Sequence, residues 1–193
     1  MALVDRAQKM LTTPKTEWPV VAVEPATVQT LYSGYIIPLA LISPICSFIS
    51  TLVFAHRSIL LAAVISIVSF VLSLVIVYVV ALIADYLSPS FGGTKDPIQA
   101  LKWIAYAYTP AWVAGVALLI PVVGPLISLL GGLYALYVLF LGANPVMRVP
   151  QEKALGYVAV LIILEIVLTF IVGAVLGVLV AVLSVGAAIQ GAH

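Results

Sequence analysis

Long stretches without a charged residue alternate with short polar segments along this chain, and that alternation predicts its architecture. The first uncharged run, Leu31 to Ala55, has 25 residues and ends at His56 and Arg57. Pro38 and Pro44 should bend it, which membrane helices tolerate when hydroxyls or neighbours satisfy the freed carbonyls. Ser58 to Ala84 forms a second run of 27 residues, stopped by Asp85. Asp96 then reads as an N-cap before Pro97, starting a helix that enters the membrane around Lys102 and Trp103 and reaches Ile120 with Pro110 inside. Pro121, Gly124 and Pro125 make a turn into a fourth run that extends to about Leu141. The fifth run, Tyr157 to Ile189, spans 33 positions interrupted by Glu165. At about 1.5 Å per residue it would reach roughly 50 Å against a hydrocarbon core of about 30 Å, so it predicts one tilted or overhanging helix. The fold class expected is an all-α membrane protein, a bundle of five transmembrane helices at about 31–55, 58–84, 103–120, 124–141 and 157–185.

Residues 1–30 form a polar segment ahead of the spans, read as mature protein rather than a signal peptide. Within it Leu3, Val4, Ala7, Met10 and Leu11 fall at helical spacing opposite Asp5, Arg6, Gln8 and Lys9, the pattern of a short interfacial helix. Pro14, Pro19 and Pro25 break the pattern, and Trp18 suits the headgroup boundary.

Composition agrees: 64% of residues are apolar, 8% are charged and mean hydropathy is +1.28, whereas soluble domains have about half and a quarter respectively. A net charge of +1 gives no reason to expect nucleic acid. Cys46 is the only cysteine, which excludes an intrachain disulfide and reads as a packing residue. Arg6, Lys9, Lys15, Lys95, Lys102, Arg148 and Lys153 all fall on one side of a five-span layout and only Arg57 on the other. Basic loops resist translocation, so the N-terminus is expected in the cytoplasm and the C-terminus outside, periplasmic or extracellular.

Small residues suggest how the helices pack. Gly173, Gly177 and Ala181 recur every four positions on the fifth span, and Gly124, Ser128 and Gly132 on the fourth; such strips serve internal packing or homo-oligomerisation. Ser43, Ser47 and Ser50, and Ser66, Ser69 and Ser73, form polar strips that either line a polar path or bond back to their own helices.

Glu165 is the chemical oddity. Eight residues beyond Tyr157, it lies about 12 Å deep, where a lone carboxylate is expensive, so it should be protonated, paired or hydrated. Thr169 continues its helix face, and the hydroxyls of Tyr106, Tyr108, Tyr134 and Tyr137 are candidate partners. Two readings are open: a proton or cation site, or a structural tie between helices. Catalysis finds no support, since His56 and His193 lack nearby carboxylates and no phosphate or dinucleotide motif is present; Asp85 is expected at a depth different from Glu165. No cofactor or metal is expected.

The stretches Leu11-Thr-Thr-Pro-Lys-Thr-Glu-Trp18, Tyr35-Ile-Ile-Pro-Leu39, Tyr106-Ala-Tyr-Thr-Pro110, Ile120-Pro-Val-Val-Gly124 and Leu133-Tyr-Ala-Leu-Tyr137 resemble bacterial members of the Yip (Ypt-interacting protein) family. The resemblance implies five spans, a cytoplasmic N-terminus and, here, a bacterial inner membrane. Eukaryotic members bind Rab-type GTPases through a long N-terminal region. This chain is short there and lacks their Asp-Leu-Tyr-Gly-Pro motif, with Tyr108-Thr109-Pro110 as the nearest analogue, so the resemblance does not carry GTPase binding to it. Two functions follow as expectations. One is a membrane-organising or adaptor protein that meets a protein partner or anionic lipid at its cytoplasmic face through the helix at Leu3 to Leu11 and the loop at Arg148. The other is a small transporter or channel using Glu165.

Overall fold

The computed structural model describes residues 2–54 and 59–190, with side chains of the last helix described to residue 182 apart from Leu179. His56, Arg57 and His193, together with the ends of the first two predicted spans at 55 and 58, lie outside the described residues.

Every regular element described is helical. A hairpin of α1 (Leu3–Thr12) and α2 (Pro14–Val23) precedes α3 (Val28–Phe54), α4 (Ile59–Leu87), α5 (Pro97–Ala107), α6 (Thr109–Ala114), α7 (Val123–Met147) and α8 (Gln151–Gln190). Among the described residues, four rods are long and apolar enough to cross a membrane: Val28–Phe54, Ile59–Phe91, Val123–Met147 and Gln151–Val182.

The expected third span, 103–120, is not one continuous helix. It divides at Tyr108 between α5 and α6, then tightens into a 3-10 turn at Gly115–Leu119. Pro110 is the cause, because it has no N–H for the carbonyl four residues back, at Tyr106. The Thr109 hydroxyl donates to that carbonyl at 2.7 Å instead. Proline also shapes α3, where a π turn at Tyr32–Ile36 precedes Pro38 and a break at Leu41 precedes Pro44. Pro121 lies in the link before α7, where Val122 takes a φ of 70°, and Pro125 sits in the first turn of α7, where a missing N–H does no harm. Asp96 caps α5, its carboxylate accepting from the N–H groups of Ile98 at 3.1 Å and Gln99 at 3.0 Å.

The N-terminal segment departs most from expectation. Trp18 is fully buried instead of lying at a headgroup boundary, and its indole N–H donates to the Val138 carbonyl of α7 at 3.0 Å. Trp103 donates to the adjacent carbonyl, Leu139, at 2.8 Å. Both carbonyls are reachable because Gly142 presents no side chain over them. A Cβ there would lie 2.5 Å from Cδ1 of Trp103 and 2.7 Å from Cε2 of Trp18. Tyr157 of α8 stacks on Trp103 with ring centres 5.2 Å apart and donates to the Ala84 carbonyl of α4 at 2.6 Å. One aromatic cluster therefore joins α2, α4, α5, α7 and α8. The amphipathic helix expected at Leu3 to Leu11 is present as α1, which forms half of a docked hairpin with Ala7 and Met10 buried and Val4 exposed.

The seam of α7 also differs. Gly124 sits against the Ala117 carbonyl, Ser128 donates to the Ala114 carbonyl at 3.4 Å, and a Cβ on Gly131 would lie 2.2 Å from that of Ala114. Gly132 has nothing within 4 Å. With Ala135, Val138 and Gly142 the contact positions alternate steps of four and three. A seam averaging 3.5 residues stays on one face, whereas a strict step of four drifts around the helix.

All four long helices divide the same way. Most buried residues lie at Leu31 to Ala40 on α3, Val77 to Asp85 on α4, Ala135 to Met147 on α7 and Ala154 to Leu161 on α8, with Cys46, Ala62 and Gly124 buried singly outside these stretches. Beyond these, the helices separate around openings lined by residues 43–51 and 62–73 of α3 and α4, and by 128–136 and 162–170 of α7 and α8. The bundle has a packed end, closed by the N-terminal hairpin, and a looser end.

Gly142→Ala should destabilise the protein by about 1–3 kcal/mol, since its methyl group overpacks both indoles. Gly132→Ala should be nearly silent. Unfolding in mild detergent with increasing dodecyl sulfate measures both, and equal effects would contradict the seam.

Candidate functional site

Charged groups are scarce in this chain, yet four, Arg6, Glu17, Glu24 and Lys102, converge at the packed end. Arg6 of α1, 3% exposed, reaches Glu17 with one guanidinium nitrogen and Glu24 with the other. Glu17 in α2 and Glu24 at its C-cap are seven residues apart, a spacing close to two helical turns, which is the sequence signal that could have placed Arg6 between them. Burial opposes the Arg6 charge, but hydrogen bonding to Glu24 and attraction to both carboxylates outweigh it and raise its pKa above the usual arginine value. The Arg6 carbon Cζ also lies 5.6 Å from the ring centre of Tyr106.

Lys102, expected at the membrane boundary, is buried at 2% exposure. Its ammonium donates to the carbonyls of Val21 at 2.7 Å and Glu24 at 2.6 Å, at the C-terminal end of α2. Carbonyls at this end carry the negative end of the helix dipole and are short of donors, Val21 accepting only a long bond from the Glu24 N–H at 3.3 Å, so a cation belongs there. The hairpin is thus held by Arg6 from within and by Lys102 from the bundle.

Of the four tyrosines weighed as partners of Glu165, one meets it. The Tyr108 hydroxyl donates to Glu165 Oε1 at 2.7 Å, tying the α5–α6 break to α8. Tyr106 instead packs edge-on against Tyr35, ring centres 4.4 Å apart. Tyr134 donates to the Leu11 carbonyl at 2.8 Å, and Tyr137 lies beside it with ring centres 5.8 Å apart. Glu165 sits four residues past Leu161, the last buried residue of α8 among those described, in a groove with Thr169, Ser128 and Gly132 that is otherwise walled by leucine, isoleucine and phenylalanine. Asp85 lies elsewhere, acting electrostatically on Tyr157 about 12 Å back along α8, so the two carboxyls do not pair. One Asp85 oxygen is buried without a hydrogen-bond partner. Gly173 and Gly177 have nothing within 4 Å and, with Ala181, face outward.

A second polar link continues the packed end inward. Thr109, committed as donor to Tyr106, accepts from the Tyr35 hydroxyl at 2.6 Å. Tyr35 of α3 is thereby joined to Tyr106 and Thr109 at the α5–α6 break, and Arg6 of the docked hairpin lies over the Tyr106 ring.

A family model described as the Yip1 domain matches residues 9–173. The chain belongs to the Yip1 domain family. No curated protein and no solved structure matches it. The Yip1 domain match begins inside α1 and ends inside α8, so it takes in α2, the aromatic cluster and Glu165. Among the described residues, no group of three or more histidine, cysteine or acidic side chains could hold a metal ion.

Two predictions test these links. Arg6→Met leaves Glu17 buried without its cation, which is expected to cost about 3–5 kcal/mol and to release the hairpin. Trypsin should then cut at Lys9 and Lys15 much faster, and Glu17→Leu in the same chain should restore resistance. Glu165→Leu and Tyr108→Phe should each destabilise by about 0.6–1.7 kcal/mol, and the double variant by less than their sum. Glu165→Gln keeps an acceptor and should behave as wild type in the same unfolding assay.

Proposed function

We propose that this Yip1 domain protein is a non-catalytic membrane-organising or adaptor protein of a bacterial inner membrane, with five crossings, a cytoplasmic N-terminus and an outward C-terminus. The observation that carries this reading is the rigid packed end. An N-terminal hairpin is pinned there by a buried ion-pair network and two tryptophans, which is a costly arrangement for a mere leader and suits a presented surface.

The charge on that surface supports the same orientation. The loops at Gly92–Lys95 and Arg148–Lys153 lie side by side, joined by the Thr94 N–H donating to the Met147 carbonyl at 2.9 Å. Lys95, Arg148 and Lys153 are exposed on them, a basic patch suited to anionic headgroups or an acidic partner segment. A fifth crossing would be made by the broken segment 97–119, whose freed Tyr106 carbonyl is satisfied by Thr109. The Tyr108–Glu165 bond in a groove between helices favours a second reading, a proton or cation path, but a packed core lies between that groove and the hairpin.

Reporter fusions to the two termini should report opposite sides of the membrane; the same side would overturn the five-span layout. Replacing Lys95, Arg148 and Lys153 with glutamate should abolish binding of the reconstituted protein's exposed face to phosphatidylglycerol vesicles or crosslinking to its partner, and unchanged capture would refute the platform. Proton flux in liposomes should be at background for wild type and Glu165→Gln alike. Flux that disappears with Glu165→Gln would establish the second reading instead.

A further inference from the structure

The two serine strips converge. Ser43, Ser47 and Thr51 of α3 face Ser66, Ser69 and Ser73 of α4 across a cavity of about 400 Å³, closed on one side by Trp112 of α6. Helical geometry explains the alignment, since steps of three and four residues keep a side chain on one face. Alanines at 40 and 62, Pro44 and Ile65 complete the wall, and no charged residue is among its described lining residues.

The hydrogen bonding of this cavity is unusual for the interior of an apolar bundle. A serine in a membrane helix ordinarily bonds back to a carbonyl of its own helix. Ser73 does so, donating to the Phe70 carbonyl at 2.7 Å. Ser43, Ser47, Thr51, Ser66 and Ser69 have no hydrogen-bond partner among the described residues. The Trp112 indole N–H has none either, although that side chain is only 7% exposed and both other tryptophans donate to carbonyls. Five hydroxyls and an indole N–H left open around one volume are expensive in a dry apolar setting. They are satisfied when the volume holds molecules that both donate and accept.

We propose that the α3–α4 cavity is a hydrated binding site for a small uncharged hydrogen-bonding solute of amide or polyol type. Hydroxyls both donate and accept, which suits a neutral polar guest, while the described lining offers an ion no countercharge. At about 30 Å³ per water the cavity holds on the order of ten waters, or a solute of a few heavy atoms with its hydration. An apolar groove on the neighbouring face, walled by Leu41, Ile45, Phe48, Ile67 and Phe70, shares only Pro44 and Ser66 with it. Lipid tails therefore have their own surface there. The site is independent of the adaptor reading and stands or falls separately.

Trp112 provides the test. The protein is placed in nanodiscs of phosphatidylethanolamine and phosphatidylglycerol, and its fluorescence is compared with that of Trp112→Phe, which isolates the Trp112 component. Acrylamide, a small neutral amide, should quench that component several-fold more than iodide does. Ser66→Leu or Ser47→Leu, which fill the cavity, should remove the acrylamide effect, and Ser50→Leu, outside the lining, should not. Equal quenching by iodide would mean an open surface, quenching by brominated acyl chains would mean a lipid occupant, and no quenching would mean a dry void. Each of these three results overturns the proposal. As a second measurement, Ser66→Cys in a Cys46→Ala background should react with a neutral water-soluble maleimide faster than lipid-facing Ile67→Cys, and equal rates would overturn it too.

Discussion

Two indole N–H groups on two consecutive carbonyls of α7 are the contact on which the packed end depends. In a membrane protein the hydrophobic effect does not drive helices together, because lipid tails are as apolar as leucine. Packing and hydrogen bonds must do it. Gly142 opens the backbone of α7, Trp18 and Trp103 fill the opening from different elements, and Tyr157 extends the stack to α8 and α4. Remove the opening and neither the hairpin nor α5 can approach α7.

Once Trp18 is seated, the charges of the hairpin are carried into the core with it. Arg6, Glu17 and Lys102 then have to satisfy one another or the end of α2, and they do. A buried network of this kind adds little net stability compared with a well-packed apolar core, but any single deletion leaves an uncompensated charge. Its effect is therefore on which arrangement forms. That specificity is what a surface presented to a partner requires.

The looser end follows from the same economy of contacts. Beyond the aromatic cluster α3 and α4 part around serines, and α7 and α8 part around Glu165. Packing there is by glycine and serine on the α7 seam against the broken α6 segment, and much of each long helix faces outward. Polar groups at this end lie next to volume that can be filled, whereas most of those at the packed end have protein partners, Asp85 Oδ1 and Gln99 Oε1 being exceptions.

The helical membrane class, the start of α5 at Asp96 and Pro97, the proline-induced bends of α3 and the isolation of Glu165 were legible in the sequence, because each rests on local chemistry: apolar run length, capping and a missing N–H. The serine strips were visible as strips for the same reason. Their convergence on one cavity was not, nor was the choice of Tyr108 over Tyr106, Tyr134 and Tyr137 as the partner of Glu165. Burial of Arg6, Lys102 and Trp18 ran against their local patterns, since a residue on the polar face of an isolated helix enters the core when a second element supplies its partners. The seam through Gly131 rather than Gly132 depended on the angle at which α6 crosses α7. Sequence determined what each helix is; the register and crossing of helices, which only tertiary packing sets, decided what each residue does.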